Sequence, residues 1–323
     1  MDEQEIKIVR VTTSDYNKVM DIFPPSEIYE GTDYLPDYFH LLLDMSNVEA
    51  YAVVADDKFV SFALFMVVDD GKTVIVRSGR TRKGYTDHGY MGMLFECFEK
   101  VSPKRRNILY RATTSESRTA GLQRKLERGL IYKVLQREFR SYIGSSTTNL
   151  NNQLQGIVNN DSTAKLICEA DLSKLLSNPK LCSKLFPEGR VIVDCVPYRP
   201  IKSNAPLMKW TRTFIVASEL DDVDRTTLTF VSYAQTYFGL VCNLDVYGHI
   251  DSTLKRHLYL HLKSILPFGK PGKLLIRCFG ENWNIISPLM EYFGLEECVV
   301  WGSVLLCSEL KLEELKDGNS SKL

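Results

Sequence analysis

An excess of one charge is what this sequence most plainly lacks: its 40 Lys and Arg are matched by 40 Asp and Glu. Without a basic surplus there is no electrostatic footprint of a nucleic-acid binder. Long apolar runs are missing too, and none reaches the roughly 18 residues that a membrane-spanning helix needs. The chain opens Met-Asp-Glu-Gln-Glu, with none of the basic and apolar stretches of a secretory signal, so the cytoplasm is the expected location. Its eight cysteines include no Cys-x-x-Cys pair, and most lie inside apolar runs. They read as reduced core residues, and no metal is expected. What remains is ordinary globular material, 44% hydrophobic and 25% charged over 323 residues. That suffices for one large domain or two of usual size. The expected partner is a small molecule, and the expected state a monomer or weak dimer.

The chain is organised around Val74 to Lys100, VIVRSGRTRKGYTDHGYMGMLFECFEK. A β-branched run, Val74–Val76, reads as a buried strand. A turn punctuated by Gly84, Gly89 and Gly92 follows. Met93, Leu94, Cys97 and Phe98 then recur at helical spacing. Strand, glycine turn and helix start together present backbone N–H groups and a positive helix terminus, which suits a phosphate. The bland alternative is a plain strand-to-helix connection.

The order of elements extends this picture. Ile6–Val11 alternates as a half-buried strand, and a helix over Asp15–Phe23 is stopped by Pro24-Pro25. A second helix carries His40 and Leu41–Leu43. Ala50–Ala55 and Phe59–Val67 form a hairpin, and Asp69-Asp70-Gly71 turns into the strand before Arg80. After the glycine-turn helix come a strand at Ile108–Ala112, a helix at Ser115–Arg128 and a strand at Leu130–Tyr142. Residues 146–161 are polar and aperiodic and read as a linker. Ala164–Leu185 reads as a helix broken at Asn178-Pro179. Strands at Arg190–Cys195, Thr227–Tyr233 and Gly239–Val246 precede a helix at Ser252–Ile265. A strand at Leu274–Phe279, a helix at Asn282–Phe293 and a strand at Glu297–Cys307 repeat the order of the first half. The expected domains are 1–145 and 162–310, with a flexible tail at 311–323. An unrelated α+β second domain is the alternative to a repeat.

The residues around the glycine turn resemble the GNAT superfamily of acetyl-CoA-dependent N-acyltransferases, whose pyrophosphate loop is Gln/Arg-x-x-Gly-x-Gly/Ala, preceded by a strand bearing Arg. Here that Arg is Arg80 and the loop falls on Thr86-Asp87-His88-Gly89-Tyr90-Met91, with Gly92 beyond. Thr86 stands in the basic position and Met91 in the small one. Three further stretches are similar to signatures of the histidine N-acetyltransferase family. They are Ile28-Tyr29-x-Gly31-x-Asp33-Tyr34-Leu35-Pro36 with His40, Asp194-x-x-Pro197-Tyr198-Arg199-Pro200 with Asn204, and Asn243-Leu244-Asp245-Val246-Tyr247-Gly248. The family's acidic residue before the loop is replaced by Arg77.

The resemblance implies an α/β (α+β) architecture, a tandem GNAT-like acyltransferase fold with mixed sheets flanked by helices. It also implies acetyl-CoA as co-substrate and transfer to the α-amine of an amino acid, histidine-like. Ser78, Gly79 and Arg80 on the strand and Thr86 through Gly92 on the loop are the expected cofactor-binding residues. Asp33, Tyr34, Tyr198 and Arg199 are the expected acceptor-binding residues, meeting at a domain seam, with Asp33 and Tyr34 as catalytic candidates. A guanidinium such as Arg199 can hold a carboxylate bidentately. The plainer readings are an Asx turn at Asp33 and a structural Arg at 199. A GNAT-fold protein that binds CoA or a small ligand without turnover is the rival function, favoured by Arg77, Thr86 and Met91.

Overall fold

Apolar continuity decides where the first sheet is buried. In a computed structural model that describes residues 5–116, 120–129, 131–144, 147–155, 164–220, 222–270, 272–299 and 303–312, the chain divides into two units. One comprises residues up to Thr113 together with those from Glu309 on, the other Thr114–Ser308.

The first unit contains β1 (Lys7–Arg10), α1 (Tyr16–Met20), α2 (Leu35–Leu43), β2 (Val48–Ala55), β3 (Lys58–Val68), β4 (Thr73–Thr81), α3 (Tyr90–Val101) and β5 (Tyr110–Glu116) as far as Thr113. Its sheet runs β1-β2-β3-β4-β5, and only β4 and β5 are parallel. Every residue of β3 after Lys58 is buried, as a strand covered on both faces requires. Phe65 of β3 stacks on Phe98 of α3 with ring centroids 4.6 Å apart. The parallel pairing is short. It joins Thr73–Ile75 to Tyr110–Ala112 and ends there, while β4 continues to Thr81.

The second unit contains α4 (Ala120–Glu127), β6 (Tyr132–Gly144), α5 (Thr147–Gln155), β7 (Ala164–Leu166), α6 (Glu169–Leu176), α7 (Pro179–Leu185), β8 (Val191–Val193), β9 (Val196–Tyr198) and α8 (Ala205–Met208). It continues with β10 (Thr213–Ser218), β11 (Thr227–Gln235), β12 (Leu240–Gly248), α9 (Leu254–Ile265), β13 (Leu274–Phe279), α10 (Trp283–Tyr292), β14 (Glu296–Cys298) and β15 (Val304–Lys311) as far as Ser308. The sheet order β7-β10-β11-β12-β13 repeats that of the first unit, again with one parallel pair, β12 and β13, spanned by a helix. A core around Tyr142, Leu244, Leu258, Leu262, Ile286 and Phe293 fills it.

The repeat expected from the sequence is therefore present, but its boundaries differ. The strand expected to close the first half, β6, belongs to the second unit and pairs antiparallel with β13 from Phe279↔Phe139 to Leu274↔Gly144. In return the residues from Glu309 belong to the first unit, where Leu312 N–H donates to the Leu109 carbonyl at 2.9 Å. Alternation along a strand states which face is buried; it does not name the partner. The expected linker also holds a helix, α5, because Leu150 and Leu154, four residues apart, bury one stripe in the second core. Residues 146 and 156–161 of that segment, and the expected tail beyond Leu312, lie outside the described residues. Ala164–Leu166, expected to start a helix, is an edge strand on β10.

A polar cluster lies inside the second core. Thr229 Oγ1 sits 2.8 Å from His257 Nδ1 and 2.7 Å from His261 Nε2, and Ser218 Oγ lies 3.2 Å from His257 Nε2. Both rings are buried. Burial lowers His257 to about 3 and holds His261 well below its ordinary value. Both are therefore neutral in the fold, whereas the unfolded chain protonates them below about pH 6.5. The stability is complete above that pH and falls as the pH drops, by about 2 kcal/mol for the pair between about pH 6.5 and 5.5. Urea unfolding across this range should show the slope, and a His257→Leu/His261→Leu variant should flatten it. An unchanged slope in the variant would refute the assignment.

Candidate functional site

Glycine and helix geometry build the loop after β4. Gly84, Asp87 and Gly89 take positive φ, and Gly89, at +74°, is the N-cap of α3. A side chain at Gly89 would meet nothing within 4 Å, so the backbone conformation, not crowding, favours glycine there. Thr86, Asp87, His88, Gly89 and Gly92 are exposed, Met91 is half-buried and Tyr90 is buried. Tyr90 anchors the helix start. His88 stacks on its ring, with centroids 5.4 Å apart, and donates through Nδ1 to the Thr86 carbonyl at 2.8 Å. By helix geometry the N–H groups of Tyr90, Met91 and Gly92 have no acceptor within α3. They and the positive end of a twelve-residue helix suit an anion.

On β4, Ser78 and Gly79 together oppose the single residue Ala63, a bulge between the pairs Phe62↔Arg80 and Leu64↔Arg77. Ser78 takes φ +53° there. Bulges of this kind redirect side chains beside active sites. Gly79 lies so close to Met91 that a Cβ on it would stand 2.9 Å from the Met91 methyl. The Met91 sulfur also accepts from Ser61 Oγ at 3.6 Å.

The structure brings the first signature onto this bulge. Tyr34 OH and Ser78 Oγ are 2.9 Å apart, and the Arg77 guanidinium lies 5.1 Å from the Tyr34 ring centroid. Asp33 pairs with Arg80, whose Nη2 is 3.3 and 3.2 Å from its two carboxylate oxygens. Asp33 also accepts from Leu35 N–H at 3.1 Å. Both partners are buried, with side chains 6% and 2% exposed. Burial outweighs the Arg80 guanidinium and raises the Asp33 carboxyl above its ordinary range. Two residues assigned from the sequence to cofactor and acceptor are thus committed to one another. Arg82 is committed too, 2.6 Å from Asp21. An anion on this loop would be met by backbone N–H groups; Arg80 gives Asp33 only its Nη2, and its Nε and Nη1 are buried with no partner among the described residues.

The other signatures lie in the second unit. Tyr198, on β9, is buried and donates to the Leu207 carbonyl at 3.4 Å. Arg199 is half-buried, and its carbonyl accepts from Asn204 Nδ2 at 2.9 Å and Ile201 N–H at 2.8 Å. Asn204 thus closes the turn after β9. Asp194, at φ +53° in the β8–β9 turn, accepts from Ser232 at 3.0 Å and Asn243 at 3.1 Å. The second and third signatures therefore touch. Asp245 of the third pairs with a residue that sequence reasoning missed: Arg137 Nη1 lies 2.7 Å from Asp245 Oδ1 and 2.7 Å from Tyr247 OH. Arg137 Nη2 donates to the Val246 and Phe279 carbonyls at 2.9 and 2.8 Å. Arg137 shares a strand face with the buried Leu135 and Phe139, and a charge on a buried face was the available signal.

Two units of this strand order, each with a helix spanning its parallel pair, define a tandem GNAT fold. A solved tandem GNAT protein from the clavulanic acid biosynthesis pathway shares it at TM-score 0.55, with 10% identity, covering 95% of this chain and 98% of that one. In sequence, residues 160–279 match the family model for the C-terminal part of histidine N-acetyltransferase. The histidine N-acetyltransferase of Scomber australasicus is 24% identical over 326 residues, covering 91% of this chain and 92% of its own. That of Xenopus tropicalis is 20% identical over 273 residues, covering 81% and 82%. The chain therefore has the tandem GNAT fold and resembles the histidine N-acetyltransferases; fold and relatives together support an N-acetyltransferase. Among the described residues no group of three His, Cys, Asp or Glu gathers as a metal site, and no helix is long and apolar enough to cross a membrane.

The buried pair in the first unit makes a sharp prediction. Arg80→Met should destabilise the protein by about 3–5 kcal/mol, because it leaves Asp33 buried and uncompensated. Adding Asp33→Leu should recover most of that loss. Urea unfolding of the two single variants and the double measures the coupling. Additive losses would show that the pair does not act as a unit.

Proposed function

We propose that this protein transfers an acetyl group from acetyl-CoA to the α-amine of a small, histidine-like amino acid. The observation that carries the reading is the exposed Thr86–Gly92 loop running into α3, beside a strand that parts from its parallel neighbour after Ile75↔Ala112. The N–H groups of Tyr90, Met91 and Gly92 would hold the diphosphate, and the bulge at Ser78 and Gly79 would border the pantetheine arm. The named relatives are histidine N-acetyltransferases, which supports the choice of acceptor.

Acetyl-CoA supplies the thioester: the amine nitrogen attacks its carbonyl, an amide C–N bond forms, the C–S bond breaks and CoA leaves as the thiol. The acceptor needs no strong base, since an α-amine with a pKa near 8 is about one-tenth neutral at about pH 7. Asp33 acts as a positioning residue. Its bonds to Arg80 and Leu35 N–H fix the turn that presents Tyr34. The Tyr34 hydroxyl, 2.9 Å from Ser78 Oγ, would give a proton to the departing sulfur. A second reading, ligand binding without turnover, is favoured by the commitment of Arg80 and Arg82 to Asp33 and Asp21.

Thiol release from acetyl-CoA in the presence of each common amino acid separates the two readings. Turnover with one or a few is expected; cofactor binding with no turnover would favour the second. Gly89→Asp should raise the Kd for acetyl-CoA while the fold survives, because Asp is a good N-cap that tolerates positive φ yet repels phosphate. Tyr34→Phe should lower kcat by about a hundredfold and leave the Kd for acetyl-CoA unchanged. A Tyr34→Phe enzyme with full kcat would remove the hydroxyl from the mechanism.

A further inference from the structure

The balance of charge over the whole chain is not kept along it. Residues 252–280 hold six Lys and Arg and no Asp or Glu, and residues 141–160 hold no charged residue at all. The fold puts parts of both stretches side by side in the second unit. α5 packs on α9. At its start Thr147 donates through N–H to the Gly272 carbonyl at 3.0 Å and through Oγ1 to the Lys270 carbonyl at 3.3 Å. Leu254, Leu258, Leu262 and Ile265 turn one side of α9 into the core. Its other side, with the turn to β13, forms a face bearing Lys255, Arg256, Lys263, Lys270 and Lys273.

Several of these cations lie over aromatic rings and are not spent on carboxylates. Lys255 Nζ is 3.8 Å from the Tyr292 ring centroid, and Arg256 and Lys263 are 5.3 and 5.8 Å from that of Tyr259. Lys273 stands 5.5 Å from that of Phe238. None of the five pairs with a carboxylate among the described residues, and Arg256 Nε is buried with no acceptor among them. Asp251, just before the helix, accepts from Thr253 N–H at 2.8 Å. Glu291, exposed beside Tyr292 in α10, pairs with none of the five. On the neighbouring α5, Thr148 and Asn152 are exposed one turn apart and add neutral polar groups.

We infer that this face binds the phosphate backbone of a nucleic acid without reading its bases. Lys and Arg clustered along one helix are the electrostatic footprint of such a partner, and Thr and Asn are among the side chains that join them on phosphates. The zero net charge that argued against a nucleic acid sums over the whole surface and hides this local surplus. A stable protein interface needs apolar or aromatic anchors at its centre, with charges at the rim. Here the charges hold the centre and lie over Tyr259 and Tyr292. A membrane would need an apolar helix side to insert, and that side of α9 is in the core. Phe268, exposed at the end of the face, already stacks on Tyr233 with centroids 5.1 Å apart. The inference goes beyond the proposed acyl transfer and needs none of it.

Fluorescence anisotropy of a labelled single-stranded RNA of about 20 nucleotides tests it, with a duplex DNA of the same length beside it. Binding in the micromolar range at about 50 mM salt is expected, as for sequence-independent contacts. With about four phosphates met, Kd for the RNA should rise by about fiftyfold on going to about 200 mM salt. Lys263→Glu/Lys270→Glu, which changes two exposed residues of the face, should raise Kd more than about tenfold. Lys58→Glu/Lys72→Glu alters net charge equally at two exposed residues of the first unit and should raise it by no more than about twofold. Thiol release from acetyl-CoA should be the same in both variants and in the parent protein. Equal loss of binding in the two variants, or no binding at about 100 μM protein, would overturn the inference. Tighter binding of a polyglutamate peptide or of phosphatidylserine vesicles than of either nucleic acid would also overturn it, giving the face to an acidic polypeptide or to a membrane.

Discussion

The second unit depends on a single buried guanidinium. Arg137 reaches from β6 to the Asp245 carboxylate, the Tyr247 hydroxyl and the carbonyls of Val246 and Phe279, so one side chain ties together three strands. Burying a charge is costly unless it is paired and its donors are satisfied, and here both conditions are met by groups at the ends of β12 and β13. Burial still outweighs Arg137 at Asp245, whose carboxyl is raised above its ordinary range. Tyr247 completes the arrangement. Its hydroxyl accepts from Arg137 and from Ile192 N–H at 2.8 Å and donates to the Ile192 carbonyl at 2.9 Å. The third signature is therefore a scaffold that fixes strand ends, and β8 with them.

That scaffold explains the boundary between the units. β6 is encoded among residues of the first half, yet its hydrogen bonds run to β13 and β14. A strand pairing can be satisfied by any strand of suitable length, but the Arg137 partners exist only on β12 and β13. The four bonds of Arg137, its ion pair with Asp245 among them, give the exchange its specificity. The first unit uses a smaller version of the same device. Asp33 and Arg80 pin the turn before α2 to β4, and the turn in its strained conformation, with Tyr29 and Glu30 at positive φ, carries Tyr34 to the bulge.

Much of this was legible before any coordinates. The alternation of strands and helices, the glycine turn after β4 and the repeat of element order all follow from period and punctuation, and the sheets show the same order. Local residue types decided those features. What the sequence concealed were choices among long-range partners. The resemblance assigns Arg80 to the cofactor because it is borne by the strand before the loop; its pairing with Asp33, 47 residues away, has no local signature. Tyr198, expected among the acceptor-binding residues, is buried and donates its hydroxyl to the Leu207 carbonyl. The helix α5 was hidden by the polarity of its other residues, though Leu150 and Leu154 were its trace. The β8–β9 turn, with Asp194 and Cys195 both at positive φ, carries no glycine to announce it.

The departures from the superfamily loop have a physical reading in the same terms. Thr86 is exposed, and its carbonyl accepts from His88, a backbone bond that any residue at 86 could supply. Met91 turns toward β4, where its methyl fills the space a Cβ on Gly79 would occupy. A small residue at 91 would leave that space open beside the bulge. Methionine is unbranched and adaptable, so it can yield to a ligand more readily than a β-branched side chain could. The loop thus keeps the elements that bind through backbone, Gly89 at positive φ and the free N–H groups of α3, and replaces only side chains. That division accounts for a weak match to the loop pattern on a fold that matches throughout.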